Sequence, residues 1–181
     1  MSICRSIRRW KRSNEFHSLF LMQKNTLIRR CWRLNERVGE ALSLSSDRFT
    51  DLLQGSDVLQ TKQQAAAVLA FSVALVAGKP LEHVSYQWFL TRFDEFLYWD
   101  RVVVGSAWQR RGLGRALFES LRGEAQARGL HSMVCQVHER PPNPAAHAFV
   151  QSLGFTAIES VMLPSREIVT MYQRSTARAT P

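Results

Sequence analysis

The sequence predicts a single mixed α/β domain, and three observations predict it. The chain has 181 residues, 45% of them apolar and 22% charged, enough to bury roughly 70% of the surface an unfolded chain this long exposes. From about residue 66 onward, β-branched and aromatic runs alternate with segments of helical period, which is the order of a mixed sheet covered by helices. A glycine-bearing loop, Gln109-Arg110-Arg111-Gly112-Leu113-Gly114, joins one of those strands to one of those helices.

The elements follow in order. Residues 1–24 read as a basic arm or a degenerate first strand, with residues 16–22 as the strand portion. Residues 24–42 are expected to be helical, because Leu27, Cys31, Leu34 and Val38 recur at spacings of four, three and four. Ser46 and Asp47 before Phe49, Leu52 and Leu53 predict a short capped helix ending near Gly55. Residues 66–76 are apolar and bounded by Gly78-Lys79-Pro80, so a strand is expected there. Residues 86–89 and 96–104 are aromatic and β-branched and are also expected as strands. Residues 115–128 predict a helix with Ala116, Leu117, Leu121 and Ala125 inward, stopped by Gly129. Residues 132–138 predict a strand, and Pro141-Pro142 an extended exit. Asn143 fits an N-cap, Pro144 the first helical position and Gly154 the stop. Residues 156–162 and 167–173 predict a closing hairpin. One domain over 25–175 and a polar tail over 176–181 complete the reading.

Composition excludes several classes. No run of about 18 uncharged apolar residues occurs, so no membrane span is expected. The apolar stretch 16–22 is too short for a secretory leader. The three cysteines are far apart, without zinc-like spacing, so a reducing, cytoplasmic setting is expected and no metal. The net charge is +9, and it is uneven. Residues 1–40 hold ten bases and three acids. No nucleic-acid motif accompanies that end, so nucleic acid is not the expected partner. A second basic cluster comprises Arg101, Arg110, Arg111 and Arg115, with no acid between residues 101 and 115.

That second cluster surrounds the glycine loop. A helix N-terminus presents unpaired N–H groups and the positive end of a dipole. Glycines let a ligand approach the backbone, and the combination suits a pyrophosphate. The loop lacks the Gly-Lys-Ser/Thr ending of the ATP-binding loop, and Leu117 stands where a dinucleotide-binding fingerprint needs its third glycine.

The loop has the Gln/Arg-x-x-Gly-x-Gly/Ala form and resembles that of the GNAT superfamily of acyl-CoA-dependent N-acyltransferases. Asn143-Pro144-Ala145-Ala146-His147-Ala148-Phe149-Val150-Gln151-Ser152-Leu153-Gly154-Phe155 resembles the superfamily's second signature, an Asn-capped helix closing in Leu-Gly-Phe. The resemblance covers residues 64–173 well and weakens before them. It implies a mostly antiparallel sheet with a splayed central strand pair and flanking helices. It implies acetyl-CoA as co-substrate and a primary amine, of a small molecule or a protein, as acceptor in direct attack within a ternary complex. Val102, Val103 and Val104 would meet the pantetheine arm through backbone groups. Gln109, Arg110, Arg111, Gly112, Leu113, Gly114 and Arg115 would hold the pyrophosphate, and Asn143 would bond the pantetheine.

The sequence departs from that pattern where proton transfer is concerned. Val150 stands where many relatives carry a tyrosine acid, and Gln136 where a glutamate base is often found. The catalytic candidates left are Asp100, Glu139 and Tyr172, with His138 a further titratable strand position. Cys135 reads as a small apolar residue near the cleft and His147 as an exposed helix residue. Tyr86, Trp88, Phe89, Phe93, Phe96, Tyr98 and Trp99 either floor an acceptor pocket or pack the core. A non-catalytic acyl-CoA-binding module is the alternative to an enzyme, and a homodimer is left open.

Overall fold

The computed structural model describes residues 23–38 and 43–177. The predicted arm or first strand, the end of the first predicted helix at 39–42 and the last four residues lie outside the described residues. In chain order the elements are α1 (residues 23–38), α2 (Ser46–Gly55), β1 (Val58–Gln64), β2 (Ala67–Val76), α3 (Val84–Leu90), β3 (Leu97–Val104), a single 3-10 turn at Ser106–Trp108, α4 (Leu113–Ala127), β4 (Ser132–Arg140), α5 (Pro144–Ser152), β5 (Thr156–Met162) and β6 (Ile168–Ser175).

The six strands form one sheet in the order β1-β2-β3-β4-β6-β5. Every neighbouring pair is antiparallel except β3 and β4, which are parallel and paired only at Leu97↔Met133 and Tyr98↔Val134. Beyond Tyr98 the two central strands part. The expected mostly antiparallel sheet with a splayed central pair is therefore the observed one.

A bulge accompanies the parting. Val73 of β2 pairs with Arg101 and Ala74 with Trp99, so Asp100 has no partner across the ladder. The extra residue reverses which face each later side chain takes. Before it, Tyr98 packs with α1, α2 and α3 on the first face, while Leu97 and Trp99 pack with α4 and α5 on the second. After it, Val103 belongs to the first face and Val102 packs against the second. Regular alternation would have produced the opposite.

Both faces are closely packed. The first buries Phe71 and Val73 of β2 against Ile28 and Cys31 of α1, Phe49 and Leu53 of α2, and Tyr86 and Phe89 of α3. The second buries Met133, Cys135 and Tyr172 against Phe118, Leu121 and Ala125 of α4 and Val150 of α5. Each fully buried side chain of this size contributes about 1.5–3 kcal/mol.

Four expectations need correction. Residues 86–89 are helical, within α3. Their aromatic content suits a strand, but Ser85, Tyr86 and Phe89 are the buried positions, a spacing that one helix face supplies. The Tyr86 hydroxyl then anchors the helix, donating to the Val76 carbonyl at 2.7 Å and accepting from the Lys79 N–H at 2.8 Å. Strand β1 was not anticipated. It is polar, lies at the sheet edge and enters β2 through Ala65, at φ 50°, without the glycine or asparagine that usually marks such a turn. In α4, Ala116 is exposed, and Phe118 joins Leu117, Leu121 and Ala125 inside. Pro141-Pro142 form a turn instead of an extended exit. Helix α2 starts as expected, although the capping side chain is Ser45, which accepts from the Arg48 N–H at 3.4 Å.

Candidate active site

The parting of β3 and β4 opens a cleft of about 680 Å³ between the strands and the N-terminal ends of α4 and α5. One wall is Val102 and Val104 of β3, the other Gln136, Val137 and His138 of β4. Gly112, Leu113 and Gly114 close one end, while Asn143, Phe149 and Val150 line the side beneath α5. The backbone of β3 beyond Tyr98 has no β4 partner, so its N–H and C=O groups on that edge face the cleft without ladder bonds.

The loop end is built to receive an anion. Gly112 is the N-cap of α4 at φ 79°, a conformation that L-residues avoid. No side chain caps that terminus, and no acid lies in its first turn. Its leading N–H groups and dipole are therefore unanswered by the protein. The Gln109 side chain donates to the Val104 carbonyl at 3.2 Å, which ties the loop to the end of β3. Arg111 stacks on the Trp108 ring at 5.0 Å, and Arg115 donates to the Ser152 carbonyl at 3.4 Å. Gly114 has a packing role as well, since a Cβ there would lie 3.0 Å from Phe149 Cζ. Asn143 lines the cleft and caps α5 by accepting from the Ala146 N–H at 3.1 Å. Capping and cleft lining thus coexist.

At the other end, Asp100 lines the cleft with its carboxylate 2.7 Å from Arg101 Nε. Arg101 also donates to Asn35 of α1 at 3.1 Å. Gln136 accepts from the Ser85 hydroxyl of α3. His138 shares the Gln136 face of β4, with its Nε2 at 3.7 Å from Glu167 Oε1. Nearby His83 contacts the Tyr98 hydroxyl at 3.4 Å, and burial lowers its pKa more than Asp100 raises it. Cys135 lines the cleft with its thiol pushed up by burial, so it stays protonated.

Of the residues the sequence singled out, Val102, Val104, Gln109, Arg110, Gly112, Leu113, Gly114, Arg115, Asn143 and Asp100 line this one cleft. Val103, Arg111, Glu139 and Tyr172 do not. The Val103 side chain is in the opposite core. Glu139 sits at a bulge of β4 and accepts from the Ser160 and Thr170 hydroxyls at 2.7 and 2.6 Å, with Thr170 the larger cause of its lowered pKa.

The Tyr172 hydroxyl is 2.9 Å from His147 Nδ1, and His147 Nε2 is 3.1 Å from the His138 carbonyl. A carbonyl can only accept, so Nε2 carries the imidazole proton, and Tyr172 donates to Nδ1. Burial raises the tyrosine's pKa further. His147 is thus half-buried and bonded on both nitrogens, not exposed as its helix position suggested. Val38, Trp99 and Phe149 also line the cleft. Of the aromatic run expected to floor a pocket or pack the core, Trp99 lines the cleft, whereas Tyr86, Phe89, Phe96 and Tyr98 pack the first core; Val38 and Phe149 carry no chemical signature that sequence reading could have used.

Among the described residues no cluster could hold a metal ion, and no helix is long and apolar enough to cross a membrane. Several solved structures share the fold. Ribosomal-protein-S18-alanine N-acetyltransferase of Escherichia coli matches with a TM-score of 0.62 at 22% identity, covering 84% of this chain and 90% of its own. Ard1 of Thermoplasma volcanium matches at 0.65 and 13%, covering 83% and 94%. YncA of Salmonella typhimurium, determined with its cofactor acetyl-CoA, matches at 0.52 and 20%, covering 76% and 78%. No protein of curated function matches the sequence. The acetyltransferase (GNAT) family matches in sequence over residues 37–155, a stretch that holds both the glycine loop and the Asn-capped α5, and the chain belongs to that family.

Proposed function

We propose that this protein transfers the acetyl group of acetyl-CoA to a primary amine by direct attack in a ternary complex. One observation carries the reading: the cleft between parted strands ends at an uncapped helix N-terminus ringed by arginines. An elongated ligand with a diphosphate at one end and an amide-rich arm suits that shape. The Leu113, Gly114 and Arg115 N–H groups would meet the diphosphate. The free backbone edge of Val102, Val103 and Val104 would pair with the arm, Val103 contributing backbone only. Arg110 and Arg115 would add charge, Gln109 would hold the loop in place, and Asn143 would bond the arm from α5. Arg111, stacked on Trp108, would act through the loop's charge. Two described cysteines, Cys31 and Cys135, are free, in keeping with a cytoplasmic setting.

In the reaction a neutral amine attacks the thioester carbon. The C–N bond forms, the C–S bond breaks, and CoA leaves as its thiolate. The amine must lose a proton. Glu139 and Tyr172 lie outside the cleft, and Asp100 is engaged by Arg101. His138, an imidazole on the cleft wall beside Glu167, is the base this reading selects. Val150 has no proton to give, so the thiolate takes its proton from water. His138→Gln is expected to lower kcat about a hundredfold, within the range for a lost general base, with acetyl-CoA affinity intact. An undiminished kcat in the variant would remove His138 from the mechanism.

A second reading, a non-catalytic acyl-CoA-binding module, is favoured by Val150 and by Gln136, whose side-chain oxygen is occupied by Ser85. Isothermal titration with acetyl-CoA, followed by an amine panel scored for CoA release, separates the two. Binding with release supports transfer, binding without release supports the module, and no binding overturns both.

A further inference from the structure

We infer that the outer face of α1 docks an acidic peptide, so that the acceptor is a protein whose reactive amine is followed by carboxylates; the inference rests on the acetyl-transfer reading. Helix α1 turns Ile28, Cys31 and Asn35 into the protein and leaves Arg29, Arg33 and Arg37 exposed. A spacing of four residues sets these guanidinium groups in one row, each about 6 Å further along the axis. Lys24 and Arg30 flank the row, half-exposed.

Nothing described neutralises the row. The acid in this helix, Glu36, accepts from the Ser43 hydroxyl at 2.8 Å and from the Asn35 amide at 3.2 Å. No ion pair among the described residues involves Arg29, Arg33 or Arg37. Like charges four residues apart weaken a helix by a few tenths of a kcal/mol per pair, so helix stability does not account for them.

The row also leads somewhere. Val38, next to Arg37, lines the cleft. Asn35, one turn before Val38, bonds Arg101 at 3.1 Å, beside Asp100 on the cleft floor. The last arginine of the exposed row thus adjoins a residue of the cleft.

The spacing and the chemistry favour a peptide over a nucleic acid. An extended peptide presents same-side residues about every 6.6 Å, close to the repeat of the row. Single-stranded nucleic acid binding relies on aromatic platforms for the bases. The aromatic residue of α1, Trp32, packs against the core and donates to the Leu44 carbonyl at 3.2 Å. The large apolar residues exposed on the described surface, Val84, Ile158 and Met162, include no aromatic.

The test uses the full chain loaded with CoA. Its probes are a labelled hexapeptide with a free N-terminal amine and glutamates at alternate positions, the glutamine and lysine counterparts, and a single-stranded oligonucleotide of equal charge. Anisotropy should show the glutamate peptide binding about tenfold tighter than the glutamine peptide, the sum expected of three exposed ion pairs, and weakening with salt. Replacing Arg29, Arg33 and Arg37 together by glutamine should remove that advantage while acetyl-CoA affinity stays constant. Replacing all three by glutamate should transfer the preference to the lysine peptide. Arg33→Gln alone, the milder change, should cost about twofold. Equal affinity for the glutamate and glutamine peptides overturns the inference, as does tighter binding of the oligonucleotide. With acetyl-CoA in place of CoA, acidic-peptide binding without CoA release from any peptide would overturn the transfer reading and leave the docking surface standing.

Discussion

Gly114→Glu is expected to weaken acetyl-CoA binding about a hundredfold or more by isothermal titration, with the circular dichroism spectrum unchanged. Two effects act together. The new Cβ would meet Phe149 Cζ at 3.0 Å, tighter than ordinary contact, so the phenyl ring must shift. That ring lies 6.2 Å from Trp99 in the same packed cluster, and the shift presses on the cleft wall. The new carboxylate would also sit in the first turn of α4, where a diphosphate would bind, and would repel it. Gly114→Ala isolates the first effect and should weaken binding far less than Gly114→Glu, since only the end of the Phe149 ring has to give way. Undiminished binding by the glutamate variant would move the diphosphate away from α4.

Trp99→Ala should produce the largest loss of stability of any single change in the second core. The indole is 3% exposed. It packs against the rings of Phe118 at 5.6 Å, Phe149 at 6.2 Å and Phe155 at 6.1 Å. Removing it leaves a cavity bordered by three aromatic rings, at a cost of about 3–5 kcal/mol. Its Nε1–H also donates to the Ser72 hydroxyl at 2.7 Å. Ser72 is fully buried, so a stranded hydroxyl adds about 1 kcal/mol or more. Against a total of about 5–15 kcal/mol for a domain, the urea midpoint should fall by at least a quarter. Ser72→Ala, which keeps the rings, should cost about 1 kcal/mol. A Trp99→Ala loss no larger than that of Ser72→Ala would show the cluster to be loosely packed.

Much of the fold was legible because each signal was local. Asn143-Pro144 starts α5, Gly154 follows its end, and apolar periodicity marks α4. The glycine loop was legible for the same reason, since a left-handed N-cap demands glycine at 112. What escaped depends on partners distant in sequence. Helix α3 looks like a strand until Tyr86 is seen to bridge Val76 and Lys79. Strand β1 opens with Val58 and Leu59, but its other five residues are polar, and they become a strand only because β2 lies beside them. The candidate base follows the same rule. Glu139 and Tyr172 are chemically suitable, yet β4 bulges at the first, and His147 claims the proton of the second. Nothing in the sequence marks His138 above them, because what distinguishes it is the wall on which it stands.

The unpaired Asp100 divides β3 into two lengths with independent alternation. Residues 97–99 obey the phase of the closed half of the sheet, and residues 101–104 that of the open half. Deleting this one residue would set Trp99 and Arg101 in succession opposite Ala74 and Val73, a regular ladder that leaves residues 101–104 on the faces they already occupy. The extra residue therefore acts as a phase boundary in the sequence alone: before it the odd positions Leu97 and Trp99 pack on the second face, and after it the even position Val102 does.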